Sequence, residues 1–584
     1  VSTGILPGKV DFMTPEWREL FAFAVAEADR LGLEIIMNND DGWTGSGGPW
    51  NTVENSMQVL TSSEVRVKGP SRFEAVLPSP PAKLDYYRDI AILALPDSHD
   101  NPDAEKAPGI ENWQAKAGYG RGFRIEPETG DAKPGGIPSA NIIDLTSRVD
   151  ADGRLQWDVP EGNWTVLRLG HTTTGRQNHP CTPHGVGLEC DKLSKEAMEK
   201  HFDGFLAKLI ADVGPLAGKS LIGTHIDSWE VGSQNWTPKL REEFKSRRGY
   251  DPTPYYPTLA GHVVENLEVS ERFLWDYRKT LADMMADNYF GHLGELAKKH
   301  GMIISAEAYG GDFDHLQAAS RMDIPMSEFW VRSPEPNSPS NSVTMMDPTS
   351  EWASSAAHVA GRKIVAAEAF TATDHDGKWH NYPYKIKALG DRMFAEGVNR
   401  FVFHRYAMQP WMDRLPGMTF GPWGTCIERT LTWFEPGQAW FRYLARCQHL
   451  LQEGDFVADI CFFHGESAPN HAYDRAELES RLPTGYDYDG CNDEAIMNMT
   501  VEDGVLALPS RMHYRVLVLP ESRFMTPELV AKIRELVRDG AHVVGPRPDK
   551  SPSLANYPAC DDEVRRLADE LWGDVSTPGE RAVG

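Results

Sequence analysis

Four apolar, strand-like runs in this sequence each lead directly into an acidic side chain. The run LIGTHIDSWEVGSQNW (221–236) opens on β-prone residues and then presents several polar groups, ending in Glu230. Buried parallel strands have this pattern when their carboxyl ends supply an active site. The sequence therefore predicts a hydrolase that works with paired carboxylates. The other three runs are IISAEAYG (303–310) with Glu307, DIPMSEFW (323–330) with Glu328 and IVAAEAFT (364–371) with Glu368.

Paired carboxylates on strand ends support two kinds of glycosidic bond cleavage. An inverting glycosidase needs its acid and its base about 6.5–9.5 Å apart, whereas a retaining enzyme needs about 5–5.5 Å between acid and nucleophile. A retaining barrel glycosidase of the β-galactosidase type is thus an alternative. The residues alone also allow Glu230 a structural ion pair with a neighbouring Lys or Arg.

A metal-dependent amidohydrolase is a further alternative. His225 and Asp227 form an H-x-D motif at a strand end. Such sites gather several histidines from different strands. Only His404, in FVFHRY, is similarly placed, so this alternative is disfavoured.

Length and composition limit the class of protein. The chain has 584 residues, a formal net charge of −26 and a hydrophobic fraction of 41%, which is typical of a globular protein of several domains. The negative charge disfavours nucleic-acid binding. The seven cysteines show no zinc-ligand spacing, although Cys181 and Cys190 are close enough in sequence to form a disulfide. No apolar run approaches the ~20 residues that span a bilayer.

The order of elements predicts an α/β protein built on a (β/α)8-type barrel. Thr14 to Gly32 has the cap and period of a helix, and a strand (33–40) follows it. Alternating runs then predict an inserted antiparallel β-rich domain, and a β-α-β unit near the C-terminus predicts an open α/β domain. The predicted domains are barrel 1–55, β-rich insertion 56–190, continued barrel 191–450 and a Rossmann-like accessory domain 451–584.

Both ends of the sequence read as the middle of a longer protein. The chain begins VSTGILPG without Met, and it ends GERAVG. Six strand–helix steps are visible, so we expect at least one barrel strand before residue 1. The sequence is compatible with two roles for ADICFFHG (458–465): the last barrel strand or the start of a new domain.

A glycine-rich loop, DDGWTGSGGPW (40–50), follows the first strand. It lacks the lysine of a phosphate-binding loop and does not match GxGxxG. We expect a mobile loop at the barrel mouth, with Trp43 and Trp50 facing a ligand.

The sequence resembles glycoside hydrolase family 106, the inverting α-L-rhamnosidases. The resemblance runs in order through most of residues 1–445, and HIDSWEVGSQNWTP (225–238) is its most specific motif. The family commonly has Tyr where this chain has Trp229. The other matching motifs are DDGWTGSGGPW, GVGLECDKLS (185–194), RRGYD, EAYG, MSEFW, AAEAFT, GVNRFVFHRYAMQPW (397–411) and GPWG (421–424).

This resemblance implies a barrel with an inserted β-domain, an active-site Ca²⁺ ion that touches the sugar, and export to the periplasm or outside. It places the general acid on Glu230 and the base on Glu328 or Glu368. Trp229 beside the acid could desolvate its carboxyl and raise the pKa, as an acid requires. The weak calcium-ligand candidates are Asp40, Asp41, Glu189 and Asp191, which lie on different loops.

The expected substrate is a carbohydrate that ends in α-L-rhamnose, from a plant or microbial glycan or glycoside. A non-catalytic carbohydrate-binding relative is the alternative from another functional class. The residues expected to bind the sugar are Trp50, His225, Asp227, Glu307, His404, Arg405, Trp411 and Trp423.

Overall fold

A computed structural model describes residues 8–96, 109–120, 135–332, 349–415, 417–418, 421–573 and 579–583. Parts of the predicted β-rich insertion (97–108 and 121–134) and the first seven residues lie outside this range. The strands are β1 Ile35–Asn38, β2 Gln58–Val76, β3 Arg88–Pro96, β4 Ile143–Asp144, β5 Arg154–Thr173, β6 Leu221–Ile226, β7 Ile303–Ala306, β8 Ile324–Val331, β9 Ala366–Ala372, β10 Arg400–Phe403, β11 Ile460–Phe463, β12 Tyr488–Cys491, β13 Thr500–Glu502, β14 Val505–Ala507, β15 His513–Tyr514, β16 Val516–Val518 and β17 His542–Val544. The α-helices are α1 Pro15–Leu31, α2 Trp113–Lys116, α3 Lys195–Gly204, α4 Leu206–Val213, α5 Leu240–Arg248, α6 Leu267–Met284, α7 His292–Lys298, α8 His315–Ser320, α9 Thr349–Val359, α10 Pro383–Ala395, α11 Gln438–Leu451, α12 Asp493–Met497, α13 Pro527–Arg538 and α14 Ala559–Trp572.

The central feature is a parallel half-barrel sheet. Its strands follow the order β1-β6-β7-β8-β9-β10, and every neighbouring pair is parallel. Helices connect successive strands, as parallel pairing requires. The six predicted strands are confirmed within the described ranges, and the fold is a mixed α/β fold of several domains. Closure into an eightfold barrel stays a prediction.

Helix α1 begins and ends at residues whose types predict those positions from the sequence. Thr14 caps α1 by accepting the N–H of Trp17 on its hydroxyl, Pro15 takes the first helical position, and Gly32 ends the helix with φ 69°. Each residue has the conformational preference that its position demands.

The predicted antiparallel segment forms a separate sheet of order β2-β5-β3-β4. Its two long strands, β2 and β5, pair over almost their whole length, and their register shifts between Gly69 and Ser71. The bridge between Gln58 and Trp236 ties this sheet to the loop after β6. The antiparallel character is confirmed, whereas the boundaries 56–190 stay a prediction.

A second parallel sheet of order β12-β11-β16-β17 lies near the C-terminus. The predicted β-α-β unit is confirmed as β16, α13 and β17. The undecided run ADICFFHG contains β11, which pairs with β12 and β16. It therefore belongs to this second sheet and not to the half-barrel.

Two further observations concern the cysteines and the hydropathy of the helices. All seven cysteines, including Cys181 and Cys190, are reduced thiols, so the suggested disulfide between those two is not formed. Within the described ranges, no helix is both long and apolar enough to cross a bilayer.

A buried arginine joins α6 to the C-terminal region. Arg272 donates to Glu268 at 2.9 Å and to Asp561 at 2.7 and 3.0 Å. It also donates to the carbonyl of Ser551. Its side chain is 2% exposed, so the ion pairs are shielded from water and the carboxylates depend on it.

Arg272→Ala should lower the stability of the fold by about 3–5 kcal/mol, because it leaves the buried carboxylate of Asp561 without its cation and removes one of the two cations of Glu268, which also pairs with Lys550. The matched control is Arg566→Ala on α14, whose ion pairs are on the surface and should contribute little. Urea unfolding and melting temperature measure the difference. An unchanged melting temperature for Arg272→Ala would contradict this account.

Candidate active site

Strand register brings the predicted acidic residues together. Ile226 of β6 pairs with Ala306 of β7, so Asp227 and Glu307, the next residues of each chain segment, leave the sheet side by side. On the next two strands Glu328 pairs directly with Glu368. Because paired residues of parallel strands project to the same face, four acids meet at one edge.

The resulting group is the carboxylate cluster, which consists of Asp227, Glu307, Glu328 and Glu368. Ligand atoms of His225, Asp227 and Glu307 lie within 4.8 Å of one another, and so do carboxylate oxygens of Glu307, Glu328 and Glu368.

Burial and mutual repulsion dominate the electrostatics of the carboxylate cluster. Burial, together with the negative charges of Asp227, Glu368 and Glu328, raises the pKa of Glu307 well above its usual range. Burial and the charges of Asp227 and Glu328 raise the pKa of Glu368 to about 8. Burial likewise raises the pKa of Asp227. The cluster thus strongly favours protons or a cation.

Hydroxyl groups supply the few hydrogen bonds of the deepest acids. Tyr309 donates to Glu307 Oε2 at 2.5 Å, while Glu307 Oε1 is buried without a hydrogen-bond partner. Thr371 donates to Glu368 Oε1. Tyr309 and Thr371 were not selected from the sequence, although each lies within three positions of its glutamate.

Two histidines border the carboxylate cluster, and burial lowers the pKa of both. His225 Nδ1 lies 2.9 Å from the hydroxyl of Ser305. His404 Nδ1 lies 3.7 Å from Glu368 Oε1, beyond a normal hydrogen bond. Burial, with the charge of Arg405, lowers the pKa of His404 to about 4. Both rings are therefore neutral at pH 7.

Glu230 is more exposed than the four acids of the carboxylate cluster. Its side chain is 43% exposed, and His179 Nε2 lies 3.7 Å from its Oε2. Trp43 donates its indole N–H to the same oxygen at 2.8 Å. Trp43 lies in the glycine-rich loop, and neither its contact nor that of His179 was specified from the sequence.

Trp229 does not bury Glu230 as its position in the sequence suggested. Its ring packs edge to face on Phe313 at 5.5 Å, and its indole N–H donates to the carbonyl of Gly232. The residue is only 7% exposed. It therefore belongs to the core beneath the loop.

Trp50 also differs from the expectation of a ligand-facing residue. Its indole N–H donates to His201 at 3.0 Å, and its ring stacks on Phe205 at 5.5 Å. These contacts fasten the glycine-rich loop to α3 and the start of α4. The structure does not bring Trp50 together with the carboxylate cluster.

The weak calcium candidates form a hydrogen-bonded network beneath the same loop. Asp40 Oδ2 accepts the backbone N–H groups of Gly45 at 3.0 Å and Gly47 at 3.1 Å. Glu189 forms a fully buried ion pair with Lys192 at 2.6 Å. The lysine ammonium thus supplies positive charge to this network.

The other two candidates also accept hydrogen bonds from neighbouring groups. Asp41 Oδ2 accepts from the backbone and the hydroxyl of Thr182, and Asp191 accepts from Gln234 and from Thr237. Within the described ranges, none of the four candidates belongs to a group of three or more His, Cys, Asp or Glu residues whose ligand atoms converge. The expectation of a mobile loop is also not supported, because these contacts fix its backbone.

The last predicted sugar contacts lie after β10. Arg405 Nε donates to the carbonyl of Trp423 at 3.0 Å. Trp423 is 44% exposed and meets Trp330 edge to face at 6.1 Å. Trp411 is half-exposed, with the guanidinium of Arg414 5.3 Å from its ring centre. Exposed indole faces of this kind can stack on sugars.

Comparisons with known proteins agree with this architecture. A sequence model of the family Glyco_hydro_106, described as alpha-L-rhamnosidase, matches residues 2–584. A curated protein named "Putative beta-glucuronidase" from Formosa agariphila is 42% identical over 575 residues, which cover 98% of this chain and 48% of that protein. The chain thus spans about half the length of this curated relative. The structure of a rhamnosidase from Novosphingobium sp. PP1Y matches with a TM-score of 0.87 and 27% identity, over 98% of this chain and 67% of the other.

The carboxylate cluster predicts a specific pH dependence for the metal-free protein. Glu368 binds its proton more tightly in the folded state, where its pKa is about 8, than at the ordinary value of 4.5. Stability should therefore fall as pH rises from about 4.5 to 8, by up to about 1.4 kcal/mol per pH unit for this group. Melting temperatures measured with a chelator should show this slope, and Glu368→Gln should flatten it.

Asp251→Asn is the control for this experiment. A hydrogen bond from Arg241 lowers the pKa of Asp251, so this carboxylate titrates below the range of pH 4.5 to 8. The variant should be less stable than wild type yet keep the slope. An equal slope in Glu368→Gln and wild type would show that Glu368 does not carry the effect.

Proposed function

The chain belongs to the Glyco_hydro_106 family of α-L-rhamnosidases, and we propose that it removes terminal α-L-rhamnose from a glycan or glycoside by a single displacement with inversion. The observation that carries this proposal is the combination of a largely buried carboxylate cluster with one exposed carboxylate, Glu230. In this scheme the half-barrel sheet is part of a (β/α)8-type barrel whose carboxyl face holds the sugar. The β-rich segment and the C-terminal sheet are its accessory domains.

Glu230 is the general acid. A terminal sugar enters with its leaving group directed toward solvent, so the group that protonates the leaving oxygen must lie near the rim. Glu230 is exposed there, and Trp43 and Ser228 bond its two oxygens at 2.8 and 3.3 Å. These bonds orient the carboxyl before the substrate arrives.

Glu368 is the base that activates water from the opposite side, with Glu328 as the alternative. Thr371 fixes one Glu368 oxygen. His404 is neutral and lies beside Glu368, where it can bond a sugar hydroxyl. Trp411 and Trp423 are the stacking surfaces.

A Ca²⁺ ion fits the carboxylate cluster. The donor set of Glu307, Glu328 and Glu368 consists of carboxylate oxygens, which this hard cation prefers. Glu307 Oε1 is buried and lacks a hydrogen-bond partner. When bound, the ion would supply the positive charge that keeps these carboxylates ionised at neutral pH.

The name of the Formosa agariphila relative favours testing a second activity, β-glucuronidase. A glucuronide would bring its own carboxylate to a pocket that already holds four acids. The described part of the site offers Arg405 as a cation, but its terminal nitrogens are buried. A neutral rhamnose ring fits these charges better.

Leaving-group dependence tests both activity and roles. Glu230→Gln should lose roughly 10²–10⁴-fold in kcat on a rhamnoside with a sugar leaving group, because the departing oxygen needs a proton. The loss on a nitrophenyl α-L-rhamnoside should be smaller, since nitrophenolate leaves without that help. Glu368→Gln should impair both substrates similarly, because each needs activated water.

Nitrophenyl β-D-glucuronide is the comparison substrate. Its hydrolysis by the wild-type protein without hydrolysis of either rhamnoside would favour the second activity. Binding of rhamnose without turnover of any substrate would indicate a non-catalytic relative. Equal losses of Glu230→Gln on both leaving groups would remove Glu230 as the acid.

Calcium should raise the melting temperature of chelator-treated protein and bind in calorimetry. Glu307→Gln should weaken both effects because it removes a buried ligand oxygen, and rhamnoside hydrolysis should fall with chelation. Asp41→Asn is the matched control, since Asp41 bonds Thr182 outside the cluster, and it should respond like wild type. A calcium response that survives in Glu307→Gln but disappears in Asp41→Asn would place the ion at the loop.

A further inference from the structure

A second cleft lies away from the strand ends, between the segment before α6 and the segment before α14. Its volume is about 370 Å³, within the range of small-molecule sites, about 300–1,000 Å³. We call it the tyrosine cleft, and none of its residues belongs to the carboxylate cluster or to the loops that carry it. Its aromatic and polar wall is formed by Tyr250, Tyr255, Tyr557, Asn266, Asn556 and Glu265.

The tyrosine rings are held in place by contacts behind the cleft. Tyr250 and Tyr255 meet edge to face at 5.9 Å, and Tyr255 stacks on Phe273 at 5.5 Å. The Tyr250 hydroxyl donates to Asp276 at 2.8 Å. The guanidinium of Arg272 lies 4.6 Å from the centre of the Tyr557 ring. Rings fixed in this way lose little freedom when a ligand binds.

Polar groups of the tyrosine cleft remain available. Within the described part of the chain, the hydroxyl of Tyr255 and the side-chain amide of Asn556 have no hydrogen-bond partner. Asn266 uses its oxygen to cap α6, and its amide nitrogen donates to no described group. Glu265 uses one oxygen to accept from Ser139 at 2.6 and 2.8 Å.

The charge of the tyrosine cleft limits its ligand. Its lining contains one carboxylate, Glu265, and no lysine or arginine among the described residues. A phosphate, sulfate or uronate group would meet negative charge without a cation to bind it. A neutral ligand with an apolar face and several hydroxyls matches the three rings and the amides.

We propose that the tyrosine cleft is a second saccharide-binding site, which holds a neutral sugar unit of a polysaccharide whose terminal rhamnose enters the carboxylate cluster. Sugar C–H faces pack on tyrosine rings, and their hydroxyls bond amide and carboxylate groups. The ligand class rests on the proposed function. Holding the polymer at a second point raises its effective concentration at the active site, an advantage that a small aryl rhamnoside cannot gain.

The test is native affinity electrophoresis through gels with and without a neutral α-L-rhamnan. Wild-type protein should be retarded by the polysaccharide, and Tyr255→Ala/Asn556→Ala should not. Glu368→Gln should remain retarded because its tyrosine cleft is intact. Tyr384→Ala, an exposed tyrosine on α10, is the matched control and should behave like wild type.

Kinetics provide the second measurement. The KM of Tyr255→Ala/Asn556→Ala for the rhamnan should rise roughly tenfold or more, while its kinetics on a nitrophenyl rhamnoside stay at wild-type values. That unchanged activity excludes misfolding as the cause.

Three results would overturn the second site: no retardation of wild type, equal retardation of the double variant, or loss of retardation in Glu368→Gln. Retardation by dextran and not by the rhamnan would overturn the ligand class. If no rhamnoside is hydrolysed but retardation still depends on Tyr255 and Asn556, the proposed function fails and the tyrosine cleft stands.

Discussion

Repulsion between like charges is the constraint on which this site depends. The register of β6 with β7 and of β8 with β9 places Asp227, Glu307, Glu328 and Glu368 at one edge of a parallel sheet. Because the strand register fixes these positions, the four carboxylates can be separated only if a strand shifts. The cluster must therefore take up protons or a cation, and either choice changes which carboxylates are ionised at neutral pH. A glycosidase needs control over that property.

The chain contains a second acidic group, in which a lysine and backbone N–H groups offset part of the repulsion. Beneath the glycine-rich loop, Glu189 is paired with the buried Lys192, and Asp40 accepts two backbone N–H groups. The lysine and the backbone donors offset part of its negative charge, but Asp40 Oδ1 is buried without a hydrogen-bond partner, and burial with the charge of Glu189 raises the pKa of Asp40 to about 7. The loop above this group holds Trp43 against Glu230. In the carboxylate cluster, Glu307 receives only a tyrosine hydroxyl and keeps one oxygen without a hydrogen bond. The two acidic groups therefore differ in one feature, the buried lysine that pairs with Glu189.

Sequence reasoning succeeded where a local pattern has one structural solution. The capped helix α1, the parallel strands and their acidic ends follow from periodicity and from residue preferences at defined positions. It failed for contacts between distant segments. The inward orientation of Trp229, the packing of Trp50 on Phe205 and the pairing of Glu189 with Lys192 depend on tertiary packing that adjacent residues do not encode. Acidic residues near a glycine-rich loop could equally indicate metal binding or loop support, and only the position of the lysine distinguishes the two.

Glu230 and Glu368 lie in different environments. Glu230 belongs to a loop, is nearly half exposed and is held by an indole and a hydroxyl. Glu368 belongs to a strand, has only 18% of its side chain exposed and is surrounded by other acids. A single displacement requires one group that exchanges protons readily with a departing oxygen and another that stays fixed behind the sugar. In the proposed mechanism, the exposed position of Glu230 leaves space for aglycones of different shape, while the strand position of Glu368 keeps the base fixed relative to the rhamnose ring.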